Sequence, residues 1–222
     1  MKVTKVSEHI WSIKAWMVIP VHVWLVKDEE GITLVDAGMN RMAGKISKVI
    51  KDLNAGPLKR VLLTHGHSDH TGAIKALAEE DEVPVYAHLE EIPYMVGERI
   101  YPRRKKLEFN VDKNIVKPLI TNDQGELSTI GGLTPYFTPG HSPGHVIYYH
   151  EMDQVVLAGD LFTSKKGKLK PPMSMFTADM AQAVRSSEIV SELNPIRLEV
   201  CHGDSVINPA EQLPAYQSKN AE

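Results

Sequence analysis

The chain has 222 residues, 42% of them apolar, which suits one domain with a sizeable core. A formal net charge of −3 offers no basic surface for nucleic acid or an anionic membrane. A single cysteine, Cys201, excludes an intrachain disulfide framework, and residues 1–5 carry no apolar signal core. The longest apolar stretch, residues 16–26, is about half a membrane span and is interrupted by Pro20 and His22, so cytoplasmic residence is the default expectation.

Alternating apolar residues predict strands at 3–6, 10–15, 21–26 and 32–35, with Glu29-Glu30-Gly31 as the turn between the last two. Residues 16–20 form an apolar loop that either covers the core or borders a substrate. Asp36 ends the fourth strand before the turn glycine Gly38. It is placed to bond the backbone or histidines of a neighbouring loop rather than to ligate. Met42, Ile46, Val49, Ile50 and Leu53 fall at helical spacing, and Asn54-Ala55-Gly56-Pro57 stops that helix.

The apolar run Val61-Leu62-Leu63 then enters Thr64-His65-Gly66-His67-Ser68-Asp69-His70. Imidazole and carboxylate together are the ligand set for zinc and its first-row neighbours. A strand followed by a turn lets His65 and His67 aim at one point and Asp69 and His70 at another beside it. That geometry suits two adjacent metal ions. Ile74, Leu77 and Ala78 mark an amphipathic helix over 72–80, and a strand follows at 83–87. Residues 89–118 carry Tyr94, Met95, Ile100, Tyr101, Leu107 and Phe109 without clean period, around the solvated basic run 103–106. They read as a lid, with a plain connecting helix or an oligomer contact as the alternatives.

The second half predicts strands at 125–130, 133–138, 145–149, 155–158 and 197–202, and a helix over 179–193. Three of these strands end on potential ligands: His141, Asp160 and His202. In α/β architectures the loops at one sheet edge build the site, so the four motif-bearing strand ends are expected to converge. Neighbouring side chains of an extended strand point to opposite faces, so Cys201 should face away from any metal that His202 reaches. His145 reads as structural, and His9, His22, His88 and His150 as hydrogen-bonded or surface residues. Residues 165–172 form a loop whose apolar tip, Met173-Ser174-Met175-Phe176, could face the cleft.

Leu34-Val35-Asp36-Ala37-Gly38, the 64–70 motif, Thr138-Pro139-Gly140-His141-Ser142-Pro143-Gly144-His145 and Cys201-His202-Gly203-Asp204 together resemble the metallo-β-lactamase superfamily of dinuclear metal hydrolases. The resemblance implies an α/β fold, a four-layer αββα sandwich of two similar halves, as one domain over 1–222. Residues 89–118 would be the variable insertion between the halves. It implies that His65, His67 and His141 hold one metal, that Asp69, His70 and His202 hold a second, and that Asp160 bridges them. Two divalent ions are expected, zinc foremost, with manganese, iron or cobalt as alternatives.

The implied reaction is hydrolysis of an activated acyl bond (lactone, ester or thioester) by metal-bound hydroxide, with Asp69 orienting it or carrying the proton. The expected partner is a small molecule with an apolar or acyl portion, walled by Trp16, Met17, Tyr94, Tyr101, Met173, Met175 and Phe176. No nucleic acid or membrane is expected, and a homodimer is compatible with the sequence. Antibiotic-cleaving relatives generally lack the histidine at 70 or the carboxylate at 160, which disfavours β-lactams. Full-length glyoxalase II has a further carboxy-terminal helical region, and many lactonases place a tyrosine where this chain has Thr163. Two other classes stay open: a persulfide dioxygenase with one iron held by His65, His141 and Asp160, and a metal-binding protein without catalysis.

Overall fold

The four amino-terminal strands begin the first sheet, mostly exposed at its first strand and buried throughout at its fourth. The computed structural model describes residues 1–78 and 82–220. Strands β1 (Lys2–Lys5), β2 (Ile10–Trp16), β3 (Pro20–Lys27) and β4 (Ile32–Val35) pair antiparallel in chain order. Helix α1 (Ala43–Leu53) then crosses over, so β5 (Leu58–Leu62) joins β4 in parallel. Met42 and Ile46 pack fully buried, and such burial stabilises by roughly 1.5–3 kcal/mol per side chain. Asn54, left-handed at φ 47°, ends the helix where the sequence placed its stop.

Two short helices follow, α2 (Ser68–Thr71) and α3 (Ile74–Ala78); positions 79–81 of the expected helix lie outside the described residues. Strand β6 (Val85–Ala87), helix α4 (Ile92–Met95) and strand β7 (Val116–Pro118) complete a seven-stranded sheet in the order β1 to β7. The sequence reading missed β7 and placed a strand at 125–130 instead. No strand forms there: the Asn122 side chain accepts from the backbone of Gln124 and Glu126, curling the chain into a turn that competes with pairing.

The second sheet has β8 (Thr134–Phe137), β9 (Val146–His150), β10 (Val155–Leu157), β13 (Arg197–Glu199) and β14 (Val206–Ile207), ordered β14-β13-β10-β9-β8. The expected loop at 165–172 contains a hairpin, β11 (Thr163–Lys165) with β12 (Lys168–Lys170). The expected helix over 179–193 is broken in two. Asp179 caps α5 (Met180–Ser186) by accepting from the Gln182 amide. Ser187 then bonds back to the Val184 carbonyl at 2.6 Å, and α6 (Ile189–Leu193) starts afresh. Helix α7 (Leu213–Asn220) is the last element.

The two-residue period of the second sheet shows the layering directly. Val146, Tyr148, Val155 and Leu157 enter a core shared with Trp24, Leu34 and Ile46 of the first sheet and its helix. Their neighbours Ile147 and Val156 face the other way, into a core with Val184, Val190 and Leu213 from the carboxy-terminal helices. Helix, sheet, sheet and helix therefore stack as a four-layer αββα sandwich. Among the described residues, no helix is long and apolar enough to cross a membrane.

Candidate metal centre

Strand direction places the potential ligands. β10 runs parallel to β13, and β8 and β10 are both antiparallel to β9. The carboxy-terminal ends of β8, β10 and β13 therefore share one edge, and His141, Asp160 and His202 follow them. The loop after β5 meets that edge. Its backbone is extended at His67 (φ −66°, ψ 153°), and helix α2 begins at Ser68, so His65 and His67 leave before the helical turn and Asp69 and His70 leave on it. Two donor groups result, one of His65, His67 and His141, the other of His70, Asp160, Cys201 and His202. The ligand atoms within each lie no more than 4.8 Å apart.

In the first group His67 Nδ1 lies 2.9 Å from His65 Nε2 and 3.1 Å from His141 Nε2. The opposite ring nitrogens of His65 and His141 are engaged elsewhere. Thr64 Oγ1 donates to Asp36 and so accepts from His65 Nδ1, 3.1 Å away. Thr177 Oγ1 donates to the Met173 carbonyl and so accepts from His141 Nδ1 at 3.2 Å. The His65 and His141 lone pairs thus both face His67 Nδ1, where a single proton can bridge only one of them; a cation satisfies the whole set. Burial, then the neighbouring imidazoles, hold His65 well below its ordinary range. Burial also holds His141 well below it and brings His67 to about 4. The rings are neutral, the form that binds metal.

In the second group His70 Nδ1 donates to Asp36 Oδ2 at 2.8 Å, and Asp36 also accepts from the Thr64 amide and hydroxyl. Asp36 thus has the supporting role its place at a strand end suggested. His202 Nδ1 donates to the Pro20 carbonyl at 2.8 Å. Both Nε2 atoms are left facing Asp160, at 3.5 Å from His70 and 3.3 Å from His202. Asp160 Oδ2 also lies 3.4 Å from His141 Nε2, so this carboxylate reaches both groups. His70 Nε2, His202 Nε2 and Asp160 Oδ1 are buried without a hydrogen-bond partner, and three such orphans facing one another fit a bound cation.

The charges here oppose those of the first group. Burial works against ionisation, yet His202 and His70 hold Asp160 well below the usual carboxylate range. Burial likewise disfavours charged His202, but Asp160 and Cys201 raise it well above the ordinary imidazole value, and His70 is raised too. Asp69 Oδ2 stands 3.2 Å from His202 Nε2. Burial pushes its pKa up, but His70 and the neighbouring His202 bring it down to about 2.

His145 is a support, as expected: its Nε2 accepts the Asp160 amide at 3.2 Å and its Nδ1 meets Thr138 Oγ1 at 2.9 Å. His9, His88 and His150 make hydrogen bonds away from the two groups. His22 Nδ1 meets Ser12 Oγ at 2.8 Å, while its buried Nε2 has no partner. Cys201 corrects the sequence reading. Its sulfur lies inside the second group and also donates to the His22 carbonyl at 3.7 Å. Strand alternation fails because β13 ends at Glu199, so Cys201 and His202 sit on a bend where neighbours need not oppose.

Glu91 was missed altogether. Fully buried, it accepts four hydrogen bonds: from the Gly66 and Gly144 amides, Ser142 Oγ and Tyr101 Oη. It therefore ties the loop of His65 and His67 to the loop of His141. Burial raises its pKa and the donors partly offset this. The one sequence trace is glycine. A Cβ at Gly144 would stand 2.3 Å from the Glu91 amide nitrogen, and a Cβ at Gly66 2.4 Å from Tyr101 Oη.

A cavity of about 560 Å³ opens over His67, Asp69, Asp160 and His202. Met17, Ile19, Met39, Met173 and Phe176 form its apolar wall. Of the seven expected wall residues, Trp16, Tyr94, Tyr101 and Met175 do not line it. Trp16 and Met175 project to solvent, and Tyr101 is buried against Glu91 with Tyr94 stacked on it. The 89–118 segment supplies Arg104, Glu108 and Asn110 to the lining.

The family model for the metallo-beta-lactamase superfamily matches residues 16–198, a span holding every donor described except Cys201 and His202. The chain belongs to this superfamily. A probable metallo-hydrolase of Bacillus subtilis, YybB, is 36% identical over 220 residues, 97% of each chain. The hydroxyacylglutathione hydrolase GloC of Haemophilus influenzae is 29% identical over 139 residues, 60% of this chain and 62% of that protein. Among solved structures, a metallo-beta-lactamase from Erythrobacter litoralis superposes with a TM-score of 0.77 at 17% identity, covering 98% of this chain and 96% of that one. As a member of this superfamily, the protein is a metal-dependent hydrolase with His/Asp clusters able to bind metal.

Proposed function

We propose that this metallo-beta-lactamase superfamily member binds two divalent ions and cleaves an activated acyl bond (a lactone, ester or thioester) in a small molecule with an apolar portion. The observation that carries the reading is Asp160, whose carboxylate reaches both donor groups from one position. His65, His67 and His141 would hold one ion, and Asp69, His70 and His202 the other, with Asp160 between them. Zinc suits an imidazole and carboxylate set of this kind. Bound there, such ions act as Lewis acids and lower the pKa of water.

The chain's own residues supply the rest. Asp69, ionised and lining the cavity, accepts a hydrogen bond from the attacking water and fixes its direction; it can then carry the proton towards the leaving group. Asp36 holds the His70 ring, so that its Nε2 faces inward. Met17, Met173 and Phe176 bury the acyl portion, at about 25 cal/mol per Å² of apolar surface. An acyl-homoserine lactone series of rising chain length, a lactoylglutathione-type thioester, a phosphodiester and a cephalosporin form the test panel at neutral pH. Rates rising with acyl length support the reading; preference for the phosphodiester contradicts it. One iron per chain, with oxygen consumed on a persulfide, would place the protein among oxidoreductases instead.

A further inference from the structure

Among the described residues, Arg104 is the single lysine or arginine in the lining of the cavity. Its guanidinium lies over the Phe176 ring, 5.1 Å from the centroid. Its ionic partner, Glu108, has Oε1 3.7 Å from Nε, beyond hydrogen-bond reach. The other Glu108 oxygen is bonded to Asn110 Nδ2, which also donates to the Gly66 carbonyl at 2.9 Å, so Glu108 is tied to the metal loop. The Arg104 side chain is only 30% exposed. A guanidinium carries five N–H donors, and among the described residues no side-chain hydrogen bond takes up any of them.

The group is also held in place. The Arg104 amide donates to the Tyr101 carbonyl at 3.0 Å. Arg103 Nη1 donates to the carbonyls of Ser174 and Thr177, both at 2.9 Å, pinning the segment to the loop that carries Phe176. A planar cation, partly desolvated, with its donors unused and its backbone anchored on both sides, is built to receive an anion.

We propose that the substrate carries one carboxylate, remote from the acyl bond that is cleaved, and that Arg104 receives it. The inference rests on the acyl-hydrolase reading and narrows its substrate class. A single guanidinium offers one planar fork of N–H donors, which matches one carboxylate; with Arg104 alone in the lining, one acid group is what the cavity can pair.

The test uses twin substrates, the aryl monoester of adipic acid and the matching ester of its monoamide, with metal-loaded protein at pH 7. The readout is the ratio of kcat/KM for acid over amide, in which losses of folding or metal common to both twins cancel. Wild type is expected to favour the acid by about tenfold or more, the usual scale of a charge-assisted contact. Arg104→Gln should bring the ratio close to one, and Arg104→Lys should keep part of it. A wild-type ratio near one, or a ratio unchanged in Arg104→Gln, overturns the proposal. Calorimetry with non-cleavable N-alkyl amide analogues of the same twins separates the two readings. An Arg104-dependent binding preference with no ester cleaved sinks the hydrolase reading and keeps the anion site; cleavage of both esters without preference does the reverse.

Discussion

The two donor groups lie side by side and share Asp160, yet they are electrically opposite. In the first, three buried imidazoles face one another and are held neutral. In the second, carboxylates stand against imidazoles and hold protons on them: His202 and His70 are both raised. The first group presents lone pairs ready for a cation. The second offers its cation a competitor, because Asp160 favours the charged form of His202. The contrast teaches that neighbouring sites in one superfamily fold need not compete equally for metal.

The largest change should come from removing what the two groups share. Asp160→Ala is expected to weaken metal binding at both and to lower kcat/KM by about a thousandfold or more, read by elemental analysis beside the kinetics. If the variant keeps two ions per chain, the shared role is wrong. Asp69→Asn separates chemistry from binding. It should lower kcat by roughly a hundredfold to ten-thousandfold with KM little changed, because its carboxylate acts on the water and not on the substrate. Near wild-type kcat with both metals retained would remove that role.

Acidification sharpens the contrast itself. A metal binds neutral imidazole, so protons compete only where a ring holds one. His67, at about 4, and His65 and His141, both held well below the ordinary imidazole value, leave the first group proton-free at mildly acid pH. His202 and His70 must lose protons before the second group can bind. Dialysis from pH 7 towards pH 5 should therefore strip one ion from each chain before the other, and the remaining ion should depend on His67. Loss of both ions in one step contradicts the electrostatic distinction.

How much of this was legible in the sequence follows from how local each signal is. The His-x-His-x-Asp-His spacing puts these side chains on one strand-to-helix junction, so the separation of His65 and His67 from His70 could be read there; Asp69, expected beside His70, falls in neither donor group and stands 3.2 Å from His202 Nε2. His141, Asp160 and His202 each end a predicted strand, and β8, β10 and β13 bring them to one edge. Glu91 carried no such signal, because its partners Gly66, Ser142 and Gly144 are distant in sequence and two of them are bare amides. Cys201 was misread because a strand assumed to reach His202 stops at Glu199. Tyr101 looked like substrate wall by composition, but its hydroxyl bonds to Glu91 and fixes it beneath the loop.

Glu91 gives the mildest prediction. Glu91→Gln keeps the volume but turns an amide NH₂ towards donors, leaving about 1–3 kcal/mol of unsatisfied hydrogen bonding in thermal unfolding. Because the two loops it ties carry His67 and His141, the first ion should dissociate about ten- to a hundredfold more readily, with the second less affected. An equal effect on both ions would mean that Glu91 supports the fold as a whole and not the first group.

On the reading proposed above, two groups of opposite electrical character hold two ions around one carboxylate. Elemental analysis of wild-type protein, metal-replete and then desalted at pH 7, tests it most directly, with His67→Ala alongside. Two ions per chain in wild type and one in His67→Ala are the predicted result; one ion per chain in wild type would contradict it.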